Sequence, residues 1–262
     1  MFCSLKDGQK VFYEVRGNPE GNAILFLSGL SQSTQDWSSL CAQLDDTYHL
    51  VLMDLVFQGQ SDKSGDVRSI GQHADNVIEL LDHLHLETVS LVGISYGSVV
   101  SQNLMVHYPQ RLEKIALLST LANNTARFLE INNLWSNTLE QNGLQSMMDL
   151  VFPFSLGPLF FETPSMPIPQ IKEMGLAINE GQAVMKLMQG LAKDSFYESQ
   201  LGEINLPTLV IHGEYDFLCL PDMGRAVAEA IPGARFELIK GVGHTLNIEA
   251  IPQLSTLLKE FL

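Results

Sequence analysis

The sequence predicts an α/β protein: a doubly wound, mostly parallel sheet carrying a helical cap insertion. Three observations carry that prediction. Short apolar runs recur along the chain at AILFLS (23–28), HLVLMD (49–54), TVSLVG (88–93), KIALLS (114–119), TLVIHG (208–213) and RFELIK (235–240). Segments with helical periodicity lie between several of them, and strand–helix–strand repetition builds parallel sheets flanked by helices. The alternation then stops between about residues 121 and 200, where helical pieces occur without a convincing buried strand.

Taken in order, KDGQKVFYEVRG alternates apolar and polar residues around Asp7-Gly8, the pattern of an antiparallel hairpin. The six runs that follow are continuously apolar, as strands buried on both faces are. IGQHADNVIELLDHLHL (70–86) places Ile70, Ala74, Val77, Ile78, Leu81 and Leu84 on one helical stripe. SVVSQNLMVHYP (98–109) continues the helical pattern until Pro109 stops it, PDMGRAVAEAIPG (221–233) follows the run at 208–213, and IPQLSTLLKEFL ends the sequence. The expected organisation is a sheet-bearing core from residues 1–120 and 201–262, with 121–200 as the cap. The cap's middle, FPFSLGPLFFETPSMPIP (152–169), is rich in proline and aromatics. A lid is a more economical account of such a stretch than an irregular core.

Composition narrows the function. The chain has 262 residues, 45% of them apolar, enough for one large domain with a substantial core. Its net charge of −15, with no basic cluster, disfavours nucleic acid and anionic membranes as partners. Cys3, Cys41 and Cys219 are odd in number and widely spaced. They form neither a disulfide framework nor a metal pattern, and a reducing cytoplasm is the expected location. MFCSLKDGQKV has no basic segment followed by an apolar one, and no apolar run is long enough for a membrane span. Neither a glycine-rich phosphate loop nor metal-ligand spacing is present, so no cofactor and no metal is expected.

The chemistry-bearing stretch is LVGISYGS (91–98), in which Gly93, Ser95 and Gly97 fit G-x-S-x-G. Ser95 follows an apolar run and precedes a helical pattern. That context suits a sharp strand-to-helix turn that pushes a serine out at the carboxyl edge of the sheet. A serine hydroxyl is a weak nucleophile and needs a base oriented by a third group. VIHGEYDFL places Asp216 just past one run, and LIKGVGHTLNIE places His244 just past the next. Glu214 lies nearer its strand, and Asp222 suits the start of the next helix. His212 reads as structural, and His49, His73, His83, His85 and His107 read as strand-start or helix-surface residues. An oxyanion formed at Ser95 needs two backbone donors: the N–H of Tyr96, and that of Leu30, where Gly29 permits close approach.

At these residues the chain resembles the α/β-hydrolase fold superfamily over nearly its whole length. The matches are SGLSQSTQDW to HG-x-x-x-S-x-x-x-W, DLVFQGQSD to D-x-P-G-x-G-x-S, LVGISYGS to LVGHSMGG, then HGEYD, and GVGHTLNIE to G-x-GH-x-x-x-x-E. The resemblance implies Ser95, Asp216 and His244 as a catalytic triad, with Leu30 and Tyr96 as oxyanion donors. The chain departs from the pattern at Ser28, Phe57-Gln58, Ile94 and Ser98, and three of these changes remove histidines that brace the loops. DLVFQGQS and GEYDFL also resemble short motifs of acyltransferases that join hydroxyacyl chains into a rhamnolipid precursor; esterases and thioesterases are similarly close.

The expected function is a serine hydrolase of a carboxylic ester or thioester. The alternatives are an acyltransferase using the same acyl-enzyme, and a non-catalytic binding module on the same fold. The cap carries Met147, Met148, Met166, Met174, Met185 and Met188 with Phe152, Phe154, Phe160 and Phe161. Flexible, polarizable methionines among aromatics would suit an apolar acyl group. The residues expected at the substrate are Ser28, Gly29, Met148, Phe152 and Phe154, and the expected partner is a small acyl ester or thioester.

Overall fold

The computed structural model describes residues 1–164, 167–193 and 199–262; Met166 lies outside them. Eight strands form one sheet: β1 (Phe2–Ser4), β2 (Lys10–Gly17), β3 (Ala23–Leu27), β4 (His49–Met53), β5 (Val89–Ile94), β6 (Leu112–Leu118), β7 (Thr208–Gly213) and β8 (Arg235–Ile239). Their order is β1-β2-β4-β3-β5-β6-β7-β8. β1 and β2 pair antiparallel as the hairpin around Asp7-Gly8, β2 meets β4 antiparallel, and every later pairing is parallel.

The helices are α1 (Ser38–Cys41), α2 (Ile70–His83), α3 (Tyr96–His107), α4 (Ala126–Ser155), α5 (Pro158–Glu162), α6 (Ile168–Ile178), α7 (Gly181–Ala192), α8 (Pro221–Ala230), α9 (Leu246–Glu249) and α10 (Ile251–Phe261). Those between β6 and β7, α4 to α7, are the helical stretch expected there. Its longest member, α4, consists of two helical pieces joined across a kink at Gly143, whose φ is 82°. Among the described residues no helix is long and apolar enough to cross a membrane.

The strand pattern explains the two-sided core. Successive side chains alternate between faces, so a strand covered on both sides must be apolar at every position. Leu25, Leu27, Leu91, Ile115, Leu117 and Val210 pack on one side with α2, α3 and α8. Their neighbours Ile24, Phe26, Val92, Ala116, Leu118 and Ile211 pack on the other with Trp37, Leu40 and α10.

Two readings are corrected here. β8 is not buried on both faces: it is the outermost strand, Arg235 and Glu237 are not buried, and Leu238 is exposed. An edge strand has one neighbour and needs less apolar surface. His73 is not on a helix surface. It lies fully buried in α2, edge-on to the rings of Phe57 and Tyr96. α2 itself begins with a capping box: Ser69 Oγ accepts the Gln72 N–H (3.2 Å) and Gln72 Oε1 accepts the Ser69 N–H (2.9 Å).

Chain order and strand order part company around β3, with β4 on one side and β5 on the other. Such a switch point opens a crevice at the carboxyl ends of the strands, where α/β proteins bind ligands. The packing there requires glycine. A Cβ on Gly97 would lie 2.3 Å from Leu27 O, and one on Gly93 would lie 2.6 Å from Gly97 O. Gly97→Ala should therefore force backbone to move and destabilise the fold by about 1–3 kcal/mol. The measure is the denaturant midpoint, which an unstrained site would leave unchanged.

Candidate active site

Ser95 occupies the junction of β5 and α3 with φ 52° and ψ −115°, a conformation that non-glycine residues rarely adopt. Its amide donates to Leu118 O (2.9 Å), and its carbonyl accepts the Ser98 Oγ hydroxyl (2.6 Å) together with the N–H groups of Ser98 (2.9 Å) and Val99 (3.2 Å). The turn is thus held from both ends by hydrogen bonds, which offsets the backbone strain. Ser98 Oγ also lies 2.9 Å from Thr120 Oγ1, tying the start of α3 to the end of β6. Serine is useful here because a second glycine could make neither contact.

Asp216 and His244 come together. His244 Nδ1 lies 2.8 Å from Asp216 Oδ2, with both side chains buried. The other carboxylate oxygen of Asp216 accepts the backbone N–H groups of Leu218 (3.0 Å) and Cys219 (2.9 Å). Asp216 is therefore oriented by its own turn before it meets the imidazole. Glu214, the nearer candidate in sequence, instead accepts the Gly241 N–H from an exposed position.

The loop bearing His244 is anchored along its length. Ser119 Oγ donates to His244 O (2.7 Å), and His244 N–H donates to Ser155 O (2.8 Å) at the end of α4. Glu249 receives the N–H groups of Gly157 (2.6 Å), Gly243 (3.0 Å) and Thr245 (3.1 Å). It joins the histidine loop to the segment after α4. The sequence showed this glutamate as the last position of GVGHTLNIE, with nothing to indicate which groups it gathers.

Ser95 and His244 open onto one cavity of about 370 Å³, as do Gly29, Leu30 and Tyr96. Gly29 approaches closely: a Cβ there would sit 3.5 Å from Ser95 Cβ. Both of its polar groups are engaged. Its N–H donates to Gln32 Oε1 (3.0 Å), and its carbonyl accepts from Gln58 Nε2 (2.7 Å) and Gln32 N (3.2 Å). In a trans peptide the C=O and the next N–H point in opposite directions. Pulling the Gly29 carbonyl toward Gln58 thus turns the Leu30 N–H the other way, and that N–H has no acceptor among the described residues.

Gln58 takes up a bracing contact at a position where the resembling motif has histidine. Its backbone is in turn held by Lys63 Nζ, which donates to the carbonyls of Gln58, Gly59 and Ser61. This role was missed in sequence because glutamine carries no intrinsic mark of a loop brace.

Of the residues expected at the substrate, Gly29, Met148 and Phe152 line the cavity. Ser28 does not: it is fully buried below and its hydroxyl accepts the Trp37 Nε1–H (2.9 Å). Phe154 does not either, being half exposed. The reason is helical period. Met148, Val151, Phe152 and Ser155 fall on one stripe of α4, and position 154 points off it. Met147, Met174 and Phe160 also reach the cavity, whereas Met185 and Met188 pack the helices together. Phe161 is exposed. Among the described residues no Lys or Arg lines the cavity, and no group of three or more His, Cys, Asp or Glu is placed to hold a metal.

His212 lies fully buried within β7 and does not line the cavity. Its Nε2 accepts the Thr120 N–H (2.9 Å), which leaves the neutral ring's proton on Nδ1, 3.8 Å from Asp216 Oδ2. Burial pushes its pKa down to about 4, and burial likewise pushes that of His73 to about 3.

The family model described as serine aminopeptidase, S33 matches residues 18–250 of the chain. Lipase 1 of Psychrobacter immobilis is 25% identical over 265 residues, covering 98% of this chain and 82% of that protein. A putative 2-succinyl-6-hydroxy-2,4-cyclohexadiene-1-carboxylate synthase of Bacillus subtilis is 25% identical, covering 99% and 97%. The crystal structure of MGS-M2, an α/β-hydrolase enzyme from a Medee basin deep-sea metagenome library, superimposes with a TM-score of 0.92 at 21% identity, covering 100% of this chain and 96% of that one.

The buried histidines carry a pH prediction. A histidine whose folded pKa lies below its unfolded value stabilises the fold fully above the unfolded pKa, and that stability is lost as pH falls toward the folded one. For His212 the window runs from about 6.5 down to about 4, worth at most about 3 kcal/mol. Chemical denaturation between pH 7.5 and 4.5 should show stability falling on acidification. His212→Gln should flatten that slope.

Proposed function

Because the chain belongs to the serine aminopeptidase S33 family of α/β hydrolases, we propose that it is a serine hydrolase of an uncharged carboxylic ester or thioester, working through an acyl-enzyme on Ser95. The observation that carries this reading is the Asp216–His244 pair, 2.8 Å apart, with His244 opening onto the same apolar cavity as the strained Ser95 turn. Lipase 1, one of the relatives, is named for ester cleavage and supports the same class.

The chemistry follows from the positions. His244 Nε2 takes the Ser95 proton as Oγ attacks the carbonyl carbon. Asp216 accepts the Nδ1–H, fixes the tautomer and stabilises the imidazolium that forms. The N–H groups of Leu30 and Tyr96 hold the oxyanion, aided by the N-terminus of α3. The intermediate collapses, and the alcohol or thiol departs with the proton from His244. Water, deprotonated by the same imidazole, then attacks the acyl-enzyme and releases the acid.

Residues 121–200 serve as the cap over this cavity, with residues 1–120 and 201–262 as the core. An apolar acyl group fits walls built from Met148, Val151, Phe152, Phe160, Ile171 and Met174. The absence of Lys and Arg among the described lining residues favours a substrate with no carboxylate or phosphate to clamp. The free, buried Cys3, Cys41 and Cys219 fit a reducing compartment such as the cytoplasm.

A fluorophosphonate probe should label a single serine, and Ser95→Ala should abolish labelling and lower ester turnover by about 10⁴- to 10⁶-fold. An unlabelled wild type would move the reading to a binding module. Supplying an acyl thioester with and without an alcohol acceptor should yield free acid in both; a condensed product would indicate acyl transfer.

Gln58→Leu should lower kcat by about 10- to 100-fold with little change in KM, since the Gly29–Leu30 peptide acts mainly on the oxyanion. Gln58→His, which can again donate to Gly29 O, should restore part of the loss. A parallel change in KM would instead mean that the loop shapes the pocket.

A further inference from the structure

Among the buried polar side chains that line the cavity, one has no protein partner. Asn132 is only 7% exposed and lines the cavity, yet its amide makes no hydrogen bond to any described residue. It sits in α4 on the stripe Phe128, Ile131, Asn132 and Trp135, all of which face the cavity. That spacing is the inward face of a helix, where an apolar residue is the ordinary occupant. Asparagine is also a weak helix former, so local structure does not account for it.

The neighbouring polar groups are already engaged. In the same lining, Gln32 Nε2 donates to Asn247 Oδ1 (3.1 Å) while its Oε1 holds Gly29 N–H. Ser155 Oγ returns to Val151 O (3.1 Å) within α4. Asn132 is therefore a donor and an acceptor left open among the apolar residues that the first piece of α4 turns to the cavity. An amide that faces the cavity without a protein partner is free to bond whatever occupies the cavity, and an occupant without a matching group leaves it unpaired.

We propose that Asn132 is a specificity residue that hydrogen-bonds a second, uncharged oxygen of the substrate, such as a ketone or hydroxyl set away from the scissile carbonyl. The inference rests on the ester-hydrolase reading and sharpens it. The favoured substrate is an ester or thioester with an apolar body that carries one internal polar oxygen. A carboxylate at that point is disfavoured, because no Lys or Arg among the described lining residues would pair with it. A site built to bond an oxygen discriminates strongly against the analogue lacking it, because the protein group is then left unpaired.

The test compares 4-nitrophenyl esters of one chain length, either saturated or carrying a single ketone or hydroxyl at successive carbons. A matched set places the oxygen on the alcohol half instead. Wild type should favour one oxygenated position over the saturated ester by about 10- to 100-fold in kcat/KM. Asn132→Leu should erase that preference by slowing the oxygenated ester and quickening the saturated one. Asn132→Ser, which keeps a hydroxyl, should retain part of it. A preference equal in wild type and Asn132→Leu overturns the inference while fluorophosphonate labelling of Ser95 leaves the hydrolase reading intact. If no ester is turned over and no label is taken, both readings fall together.

Discussion

The approach of α3 to the end of β3 is the constraint on which the rest of the site depends. Gly97 lies against the carbonyl of Leu27 so closely that no side chain fits between them. That contact brings the start of α3 beside the loop that leaves β3. Tyr96 and the Gly29–Leu30 peptide line the same cavity as Ser95, which keeps its unusual conformation there. Parallel pairing of β3 with β5, Leu27 opposite Gly93, makes the neighbourhood unavoidable once the glycines allow it. Everything else at the site arrives from strands whose carboxyl ends reach the same edge.

Around the site, polar contacts stand at three positions where the chain departs from the family motifs. Ser28 receives the Trp37 indole, Gln58 takes the Gly29 carbonyl, and Ser98 ties the elbow to Thr120. The amide of Gln58 carries no charge at any working pH, whereas an imidazole there would gain one on acidification. The Gln58–Gly29 contact is thus independent of pH, and His244 is the histidine that lines the cavity among the described residues. His212, below it, is kept neutral by burial and spends its Nε2 on a backbone N–H.

The helices between β6 and β7 supply the apolar half of the cavity. Their attachment is specific: Glu249 binds Gly157 and the histidine loop together, and the amide of His244 reaches Ser155. A change in how α4 ends would therefore be felt at His244 through backbone hydrogen bonds. Asn132 lies in the first piece of α4, on the other side of the Gly143 kink from Ser155.

Much of this was legible in the residues themselves. Apolar runs buried on both faces announced the parallel strands, and the glycines of LVGISYGS announced a tight turn. Asp216 and His244 were readable because each follows a strand, and parallel strands deliver their carboxyl ends to a common edge. β8 misled because an edge strand is less apolar than its neighbours. His73 misled because one buried imidazole does not disturb a helical pattern. Phe154 was misplaced because the proline in FPF hid a helix whose period turns that ring outward. The order of the elements, and the places of Ser95, Asp216 and His244 just past three strands, follow from local pattern and were open to reading from the residues. Only the tertiary structure decided which carbonyl Gln58 holds, which amides Glu249 gathers and that Asn132 stands unpaired, because those facts arise where segments distant in sequence pack together.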